Sequence, residues 1–138
     1  MMKIYFAGSI RGGRDEEETY LKIIDYLGSF GMVLTEHVGK KNIEKSEEKY
    51  SDTYIFDRDI DWLKSSDVMI ADVTVPSLGV GYEIGFAETL NIPILCLYNS
   101  KNKKPLSAMI TGNKNVIWKE YESFEDAQLL IKNFISNI

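Results

Sequence analysis

One cysteine, one histidine and no apolar run approaching the roughly 20 residues of a bilayer-spanning helix: the chain is defined first by what it lacks. A single cysteine, Cys96, closes no intrachain disulfide, so the fold must rest on its own core, and a reducing cytoplasm is the expected home. A single histidine, His37, without cysteines or carboxylates at ligand spacing makes no metal site. No membrane association is expected either. Residues 1–6, Met1-Met2-Lys3-Ile4-Tyr5-Phe6, enter an apolar strand directly, without the longer core and small-residue cleavage site of a signal peptide. Positive charge is also short, with 16 Lys and Arg against 21 Asp and Glu and a net charge of −5. That balance argues against a nucleic-acid polymer as partner, because polymer binding leans on excess cations to neutralise phosphates. It leaves a mononucleotide open, since one phosphate needs only a local pocket of N–H groups and one or two cations.

What is present is the composition of a soluble globular protein, 44% hydrophobic and 27% charged over 138 residues. This length suits one domain spanning residues 1–138, able to bury most of its apolar surface without a disulfide or structural metal. Five short β-type runs fall at residues 3–7, 32–35, 68–71, 93–98 and 115–118. They are nearly continuously apolar, as strands covered on both faces must be. Between them, Tyr20, Ile23, Ile24, Leu27 and Phe30 recur at helical spacing, and Gly31 is a stop signal. Ile55, Ile60, Trp62 and Leu63 mark a second helix, residues 81–90 a third, and residues 124–135 a fourth with Ser123 as N-cap. The alternation predicts a doubly wound α/β fold, Rossmann- or flavodoxin-like: a five-stranded parallel sheet with helices on both faces. The polar stretch 39–52 reads as a surface loop. There are no internal repeats and no low-complexity tract.

In an open α/β sheet ligands bind beyond the carboxyl ends of the strands, and the chemistry of this sequence gathers there. Strand one leads into Gly8-Ser9-Ile10-Arg11-Gly12-Gly13-Arg14, strand two into Glu36-His37, and strand three into residues 72–83. In the first turn, glycines let the backbone approach an anion, helix-start amides supply donors, and Arg11 adds a charge-assisted bond. The turn is neither a Walker A loop nor a GxGxxG fingerprint. An ordinary strand-to-helix turn with Arg11 and Arg14 in solvent fits the same letters. In the turn after strand three, Ser77 and the amides near Gly79 offer a second anion or hydroxyl site. Glu83 is expected in the first turn of the helix that follows, where the dipole favours the ionised carboxylate a nucleophile needs. The bland alternative is a glutamate that only satisfies that dipole. Asp57, Asp59 and Asp61 alternate on the preceding helix and cannot share one face, so most of them are solvated. One of them, opposite Glu83, would complete the carboxylate pair that glycosidic cleavage generally uses. His37 suits acid–base work or simply a polar strand end.

Four separated segments carry a resemblance that spans nearly the whole chain in order. They are Ile4-Tyr5-Phe6-Ala7-Gly8-Ser9-Ile10-Arg11-Gly12-Gly13-Arg14, Val33-Leu34-Thr35-Glu36-His37-Val38, Pro76-Ser77-Leu78-Gly79-Val80-Gly81-Tyr82-Glu83-Ile84-Gly85 and Leu106-Ser107-Ala108-Met109-Ile110. Together they resemble the 2'-deoxynucleoside 5'-phosphate N-hydrolases of the nucleoside 2-deoxyribosyltransferase superfamily. The likeness weakens in residues 39–52 and in the last helix. It implies Glu83 as nucleophile, Asp59 as the second carboxylate, and Tyr5 as the strand-one tyrosine that positions the nucleophile. It also implies that Gly8, Ser9, Ile10 and Arg11 form a first phosphate- and sugar-binding turn, that Ser77 and Gly79 form a second, and that His37 lies at the mouth of the site. Ser107 matches a serine that reaches the neighbouring subunit's phosphate, which implies a homodimer with composite sites. No metal or organic cofactor is implied.

The function so implied is hydrolysis of the N-glycosidic bond of a 2'-deoxynucleoside 5'-monophosphate, through a glycosyl ester on Glu83 and with Asp59 as acid and then base. Absence of a 2'-hydroxyl eases formation of the oxocarbenium-like transition state. A deoxyribosyltransferase is the nearest rival. Ser9, Arg11, Ser77 and Ser107 favour a phosphate-bearing substrate, whereas related transferases commonly place an acid in the turn that here reads Ser77-Leu78-Gly79. A nucleotide sensor without chemistry is a rival of another class, against which Glu83, Asp59 and Tyr5 together argue. A ribonucleotide hydrolase is a third option, as the deoxy preference rests on the resemblance alone.

Overall fold

The computed structural model describes residues 1–10, 16–39 and 47–138. Five strands, β1 (Lys3–Ala7), β2 (Met32–Val33), β3 (Val68–Asp72), β4 (Ile94–Asn99) and β5 (Ile117–Tyr121), form one sheet of order β2-β1-β3-β4-β5. Every neighbouring pair is parallel, as the near-continuous apolar runs predict. In register, Ile4 pairs with Val33 on one side and with Val68 on the other, so β1 is an interior strand. All of β3 is buried, whereas the edge strand β5 exposes most of its residues.

Helices cover both faces. On one, α1 (Glu17–Leu27) and α5 (Phe124–Ser136) pack Ile23, Leu27, Ile131 and Phe134 against Ile4, Phe6, Ile70 and Leu95. On the other, α2 (Asp52–Ser65), α3 (Leu78–Thr89) and the short α4 (Ala108–Thr111) cover Tyr5, Met69, Ala71, Ile94 and Cys96. The strand alternation Ile4/Phe6 against Tyr5/Ala7 divides the two cores, as a period of two requires. Among the described residues, no helix is long and apolar enough to cross a membrane. Ser123 caps α5 by accepting from the Asp126 N–H, as the sequence indicates.

The departures from the sequence reading are local. The β2 ladder ends at Val33 because the Thr35 side chain replaces it: Oγ1 accepts from the Phe6 N–H at 2.8 Å and donates to the Phe6 carbonyl at 2.7 Å. The chain then forms a 3-10 turn (Glu36–Gly39) instead of continuing as strand. β5 begins two residues later than expected, because Asn113 and Asn115 donate to the Glu88 carboxylate and hold the preceding segment against α3. α2 starts at Asp52, with Ser51 as its cap. Of the stretch read as a loop, residues 40–46 lie outside the described residues.

At the carboxyl edge, the strand-three turn is tied down rather than loose. Asp72, fully buried, accepts from the Thr74 N–H at 3.0 Å and from the Tyr121 hydroxyl at 2.7 Å. Thr74 in turn accepts from the Asn99 N–H and, through its carbonyl, from the Asn102 amide. These bonds join β3, β4 and β5 beneath the turn that carries Ser77.

Candidate active site

Two elements meet at Glu83. β1 carries Tyr5, whose side chain points to the α2–α3 face and is 1% exposed. Its hydroxyl donates a hydrogen bond to Glu83 Oε2. α3 carries Glu83, and Ser77 begins that helix by accepting from the Val80 N–H. The helix therefore starts three residues earlier than the sequence suggests, which places Glu83 sixth in it, in the second turn. The expectation that the helix dipole keeps Glu83 ionised is corrected, because that field falls off within the first turn. Burial instead pushes its carboxyl up to about 7. The Tyr5 hydroxyl opposes that rise, since a donor to the carboxylate favours the charged form.

Glu83 opens on a cavity of about 970 Å³, within the size range of small-molecule sites. Gly8, Ser9 and Ile10 line it from the end of β1, and Pro76, Ser77, Gly79 and Val80 from the start of α3. Ile55, Phe56, Asp59 and Ile60 line it from α2, with Glu47, Glu48 and Tyr50 just before that helix. Six of the residues predicted as substrate-contacting or acidic groups, Gly8, Ser9, Ile10, Asp59, Ser77 and Gly79, thus share one cavity with Glu83. Asp57 and Asp61 are exposed, while Asp59 is turned inward.

Gly8 is required for packing: a Cβ there would lie 2.8 Å from the Tyr20 ring, whose hydroxyl accepts from the Ser9 N–H. Gly79 is different. A Cβ there would meet only Ser77 Oγ at 3.8 Å, so no neighbouring protein atom demands glycine.

Three predicted residues stand elsewhere, and a fourth lies outside the described residues. Tyr5 lies behind Glu83, off the cavity wall. Ser107 is exposed, accepts from the Met109 N–H as the cap of α4, and does not line this chain's cavity. Arg11, like Arg14, lies outside the described residues. His37 lies behind the wall, its Nε2 3.0 Å from Glu47 Oε1 and its ring 5.5 Å from Trp62. Because a carboxylate only accepts, Nε2–H is the donor there. Burial and the Arg58 cation hold His37 below its ordinary pKa, so it is neutral at pH 7.

Sequence reasoning missed Glu47 and Arg58. Arg58 forks onto Glu47, with Nη2 2.7 Å from Oε1 and Nη1 3.2 Å from Oε2, while its Nε donates to Asp59 Oδ1 at 2.9 Å. Burial raises the Asp59 carboxyl and outweighs the opposing pull of Arg58. Burial also pushes Glu47 upward, but the bonds from Arg58 overcome it and leave that carboxyl below its usual range. One signal was available: Tyr54, Arg58 and Trp62 recur at steps of four, a single helix face. Glu47 gave none, standing in a charge-rich stretch that reads as solvated surface.

Known proteins share this arrangement of chain and fold. Residues 4–128 match the family model described as nucleoside 2-deoxyribosyltransferase. A protein of Nematostella vectensis named "Putative 2'-deoxynucleoside 5'-phosphate N-hydrolase 1" is 51% identical, over 99% of this chain and 95% of its own. A Tetraodon nigroviridis protein named 5-hydroxymethyl-dUMP N-hydrolase is 47% identical, over 99% of both chains. Among solved structures, the Clostridium botulinum CMP N-glycosidase BcmB superposes with a TM-score of 0.66 at 19% identity, covering 95% of this chain and 98% of that one. At that identity the likeness speaks for the fold alone.

Proposed function

The chain belongs to the nucleoside 2-deoxyribosyltransferase family, and from that premise we propose that it hydrolyses the N-glycosidic bond of 2'-deoxynucleoside 5'-monophosphates. The observation that carries the proposal is the cavity in which Glu83 and Asp59 meet the hydroxyls of Ser9 and Ser77. The names of the relatives from Nematostella and Tetraodon, both N-hydrolases of nucleotides, support the same reaction.

In the first step, Glu83 attacks C1' of the sugar. The C1'–N bond breaks, its electron pair leaves with the base, and Asp59 supplies the proton that neutralises the base. Tyr5 holds Glu83 Oε2, which assigns Oε1 as the attacking oxygen. Water then attacks C1' of the ester, Asp59 takes its proton, and 2-deoxyribose 5-phosphate leaves with the Glu83 carboxylate regenerated. A raised carboxyl suits Asp59 as a donor, and a group near pH 7 leaves a substantial fraction of Glu83 ionised at neutral pH. At the other end of the sugar, the Ser9 and Ser77 hydroxyls, the backbone around Gly8, Ile10 and Gly79, and Arg11 take the phosphate.

Ser107 completes the neighbouring subunit's phosphate site in a homodimer. Its exposure supports this, as do Met109 beside it and Leu78 at the start of α3, which are 80% and 96% exposed. A reducing cytoplasm fits the buried Cys96 thiol, pushed up to about 12 by burial and the nearby Asp72 charge.

The deciding experiment is a chromatographic screen of common deoxy- and ribonucleoside 5'-monophosphates, their dephosphorylated counterparts and 5-hydroxymethyl-dUMP. Free base released from phosphorylated deoxy substrates is expected, and no release from any of them sinks the proposal. The family description favours one second reading, transfer of the deoxyribosyl group to another base. A new nucleotide formed with excess second base present would identify it.

A further inference from the structure

Arg58 lies where α2 meets the segment just before it and the 3-10 turn. On α2 its face continues through Tyr54 and Trp62, one turn before and one turn after, and the guanidinium carbon sits 5.9 Å and 4.9 Å from their ring centroids. Tyr50 closes the stack at 5.8 Å. The terminal nitrogens fork onto Glu47, which also accepts from His37 of the 3-10 turn. Nη2 also lies 3.4 Å from His37 Nε2, and Nε donates to Asp59 Oδ1 at 2.9 Å.

That last contact is geometrically unusual. Consecutive helical residues diverge by about 100° and do not ordinarily face each other. Arg58 must therefore fold back around the helix to reach Asp59, and the rings and the Glu47 fork fix it in that posture. Its side chain is 14% exposed, so the pair escapes most of the screening that weakens surface ion pairs. Among the described residues, Oδ1 is the one Asp59 side-chain oxygen with a hydrogen bond, and Asp59 lines the cavity. Arg58 itself is not on the cavity wall.

We propose that Arg58 is a positioning residue of this active site, one that orients the Asp59 carboxyl through Nε while Glu47 and the rings of Tyr54 and Trp62 hold the guanidinium still. The proposal rests on the reading of Asp59 as the acid and base of the reaction. Arg58 acts on that carboxyl twice. It fixes which oxygen faces the substrate, and its charge keeps the proton from binding too tightly to be given up. Among the described residues, His37 of the 3-10 turn and Glu47 also act on Asp59, and Glu48, Asp52 and Glu83 line the same cavity. Among the described residues, Arg58 is the one permanent cation acting on Asp59.

The test compares Arg58→Met, Arg58→Lys and the double variant Glu47→Gln/Arg58→Met. Folding is checked by circular dichroism and thermal melting, and kcat, KM and pH profile are measured on the best-cleaved of the four common 2'-deoxynucleoside 5'-monophosphates. The double variant serves where Arg58→Met strands the Glu47 carboxylate and fails to fold. In the Met variants kcat should fall about 100-fold, the scale of a displaced acid–base group, while KM stays within about threefold. Asp59 must be protonated in the first step, so activity falls as pH rises through its pKa. Without the neighbouring cation it keeps its proton to higher pH, and the alkaline limb moves upward. Lysine keeps the charge but not the fork, so it restores the limb and only part of kcat. Unchanged kcat, a loss confined to KM, or an unmoved alkaline limb overturns the proposal. Asp59→Asn separates the two readings. If that variant stays active, the role of Asp59 fails whatever Arg58 does; if it is inactive while Arg58→Met is not, the role of Arg58 alone fails. Adding Arg58→Met to Asp59→Asn should change the rate less than about threefold, because effects exerted through one group do not add, and a further tenfold loss overturns the route through Asp59.

Discussion

The Tyr5 hydroxyl on β1 donates to Oε2 of Glu83 on α3, a residue that lines the cavity while Tyr5 does not. The bond joins the central region of the sheet to the helix covering it. It also gives Glu83 a fixed orientation and a donor that favours its charged form, against a burial that disfavours it.

Removing that hydroxyl isolates its electrostatic effect. In Tyr5→Phe the Glu83 pKa should climb further, moving the acid limb of the kcat–pH profile to higher pH. At pH 7 kcat should fall about 10- to 100-fold, in line with the loss of a donor to a reacting charge. KM should change little, because Tyr5 does not line the cavity. Initial rates across pH 5–9 check this, and an unmoved acid limb contradicts it.

Glu83→Gln separates activity from stability. Turnover should drop at least about 1,000-fold, as expected for a lost nucleophile. A carboxyl raised from 4.5 to about 7 adds stability that is complete below pH 4.5 and is lost as pH rises through 7. The neutral amide escapes that loss, so at pH 8 the variant should be more stable than the parent by roughly 1–3 kcal/mol, the Tyr5 bond reducing the gain. Below pH 4.5 the gain should vanish. Denaturant titrations at pH 4 and pH 8 measure the difference.

Gly79→Ala should leave the fold intact or stabilise it by up to about 1 kcal/mol, because alanine is the better helix former and the added Cβ meets only Ser77 Oγ at 3.8 Å. Binding should suffer instead, since the methyl narrows the cavity at the helix start. KM for a 5'-monophosphate should rise several-fold, and a thermal melt alongside the kinetics distinguishes the two effects.

Tyr121→Phe tests the network under the Ser77 turn. The change leaves the buried Asp72, among the described residues, with Thr74 alone as hydrogen-bond partner, and should cost about 1–3 kcal/mol, the range for an unsatisfied buried group. Neither residue lines the cavity, so kcat per folded molecule should hold. Melting temperature and active-site-normalised kcat read the two quantities.

The sequence reported the fold well because parallel strands covered on both sides must be nearly continuously apolar, and β1, β3 and β4 are so except for one polar residue at an end of each, Lys3, Asp72 and Asn99. Boundaries were less legible. β2 ends early because of the Thr35 side chain, whose partner Phe6 is 29 residues away. The start of α3 was misread by three residues: Leu78 and Gly79 look like turn, yet Ser77 caps the helix before them. That shift removed the dipole explanation for Glu83 and left burial in its place.

By itself, the order of residues determined the α/β alternation, the strand edge where the chemistry gathers, and the resemblance that picked out Glu83, Asp59 and Tyr5. These follow from periodicity and from short motifs whose members are close in the chain. Only the tertiary structure decided that Tyr5 stands behind Glu83 instead of facing the cavity, that His37 is occupied by Glu47, and that Arg58 holds Asp59. Tyr5 and Glu83 stand 78 residues apart, and even the contact between the neighbours Arg58 and Asp59 depends on Glu47 and the rings that hold the guanidinium, so the energies come from burial and partners that exist once the fold has brought these segments together.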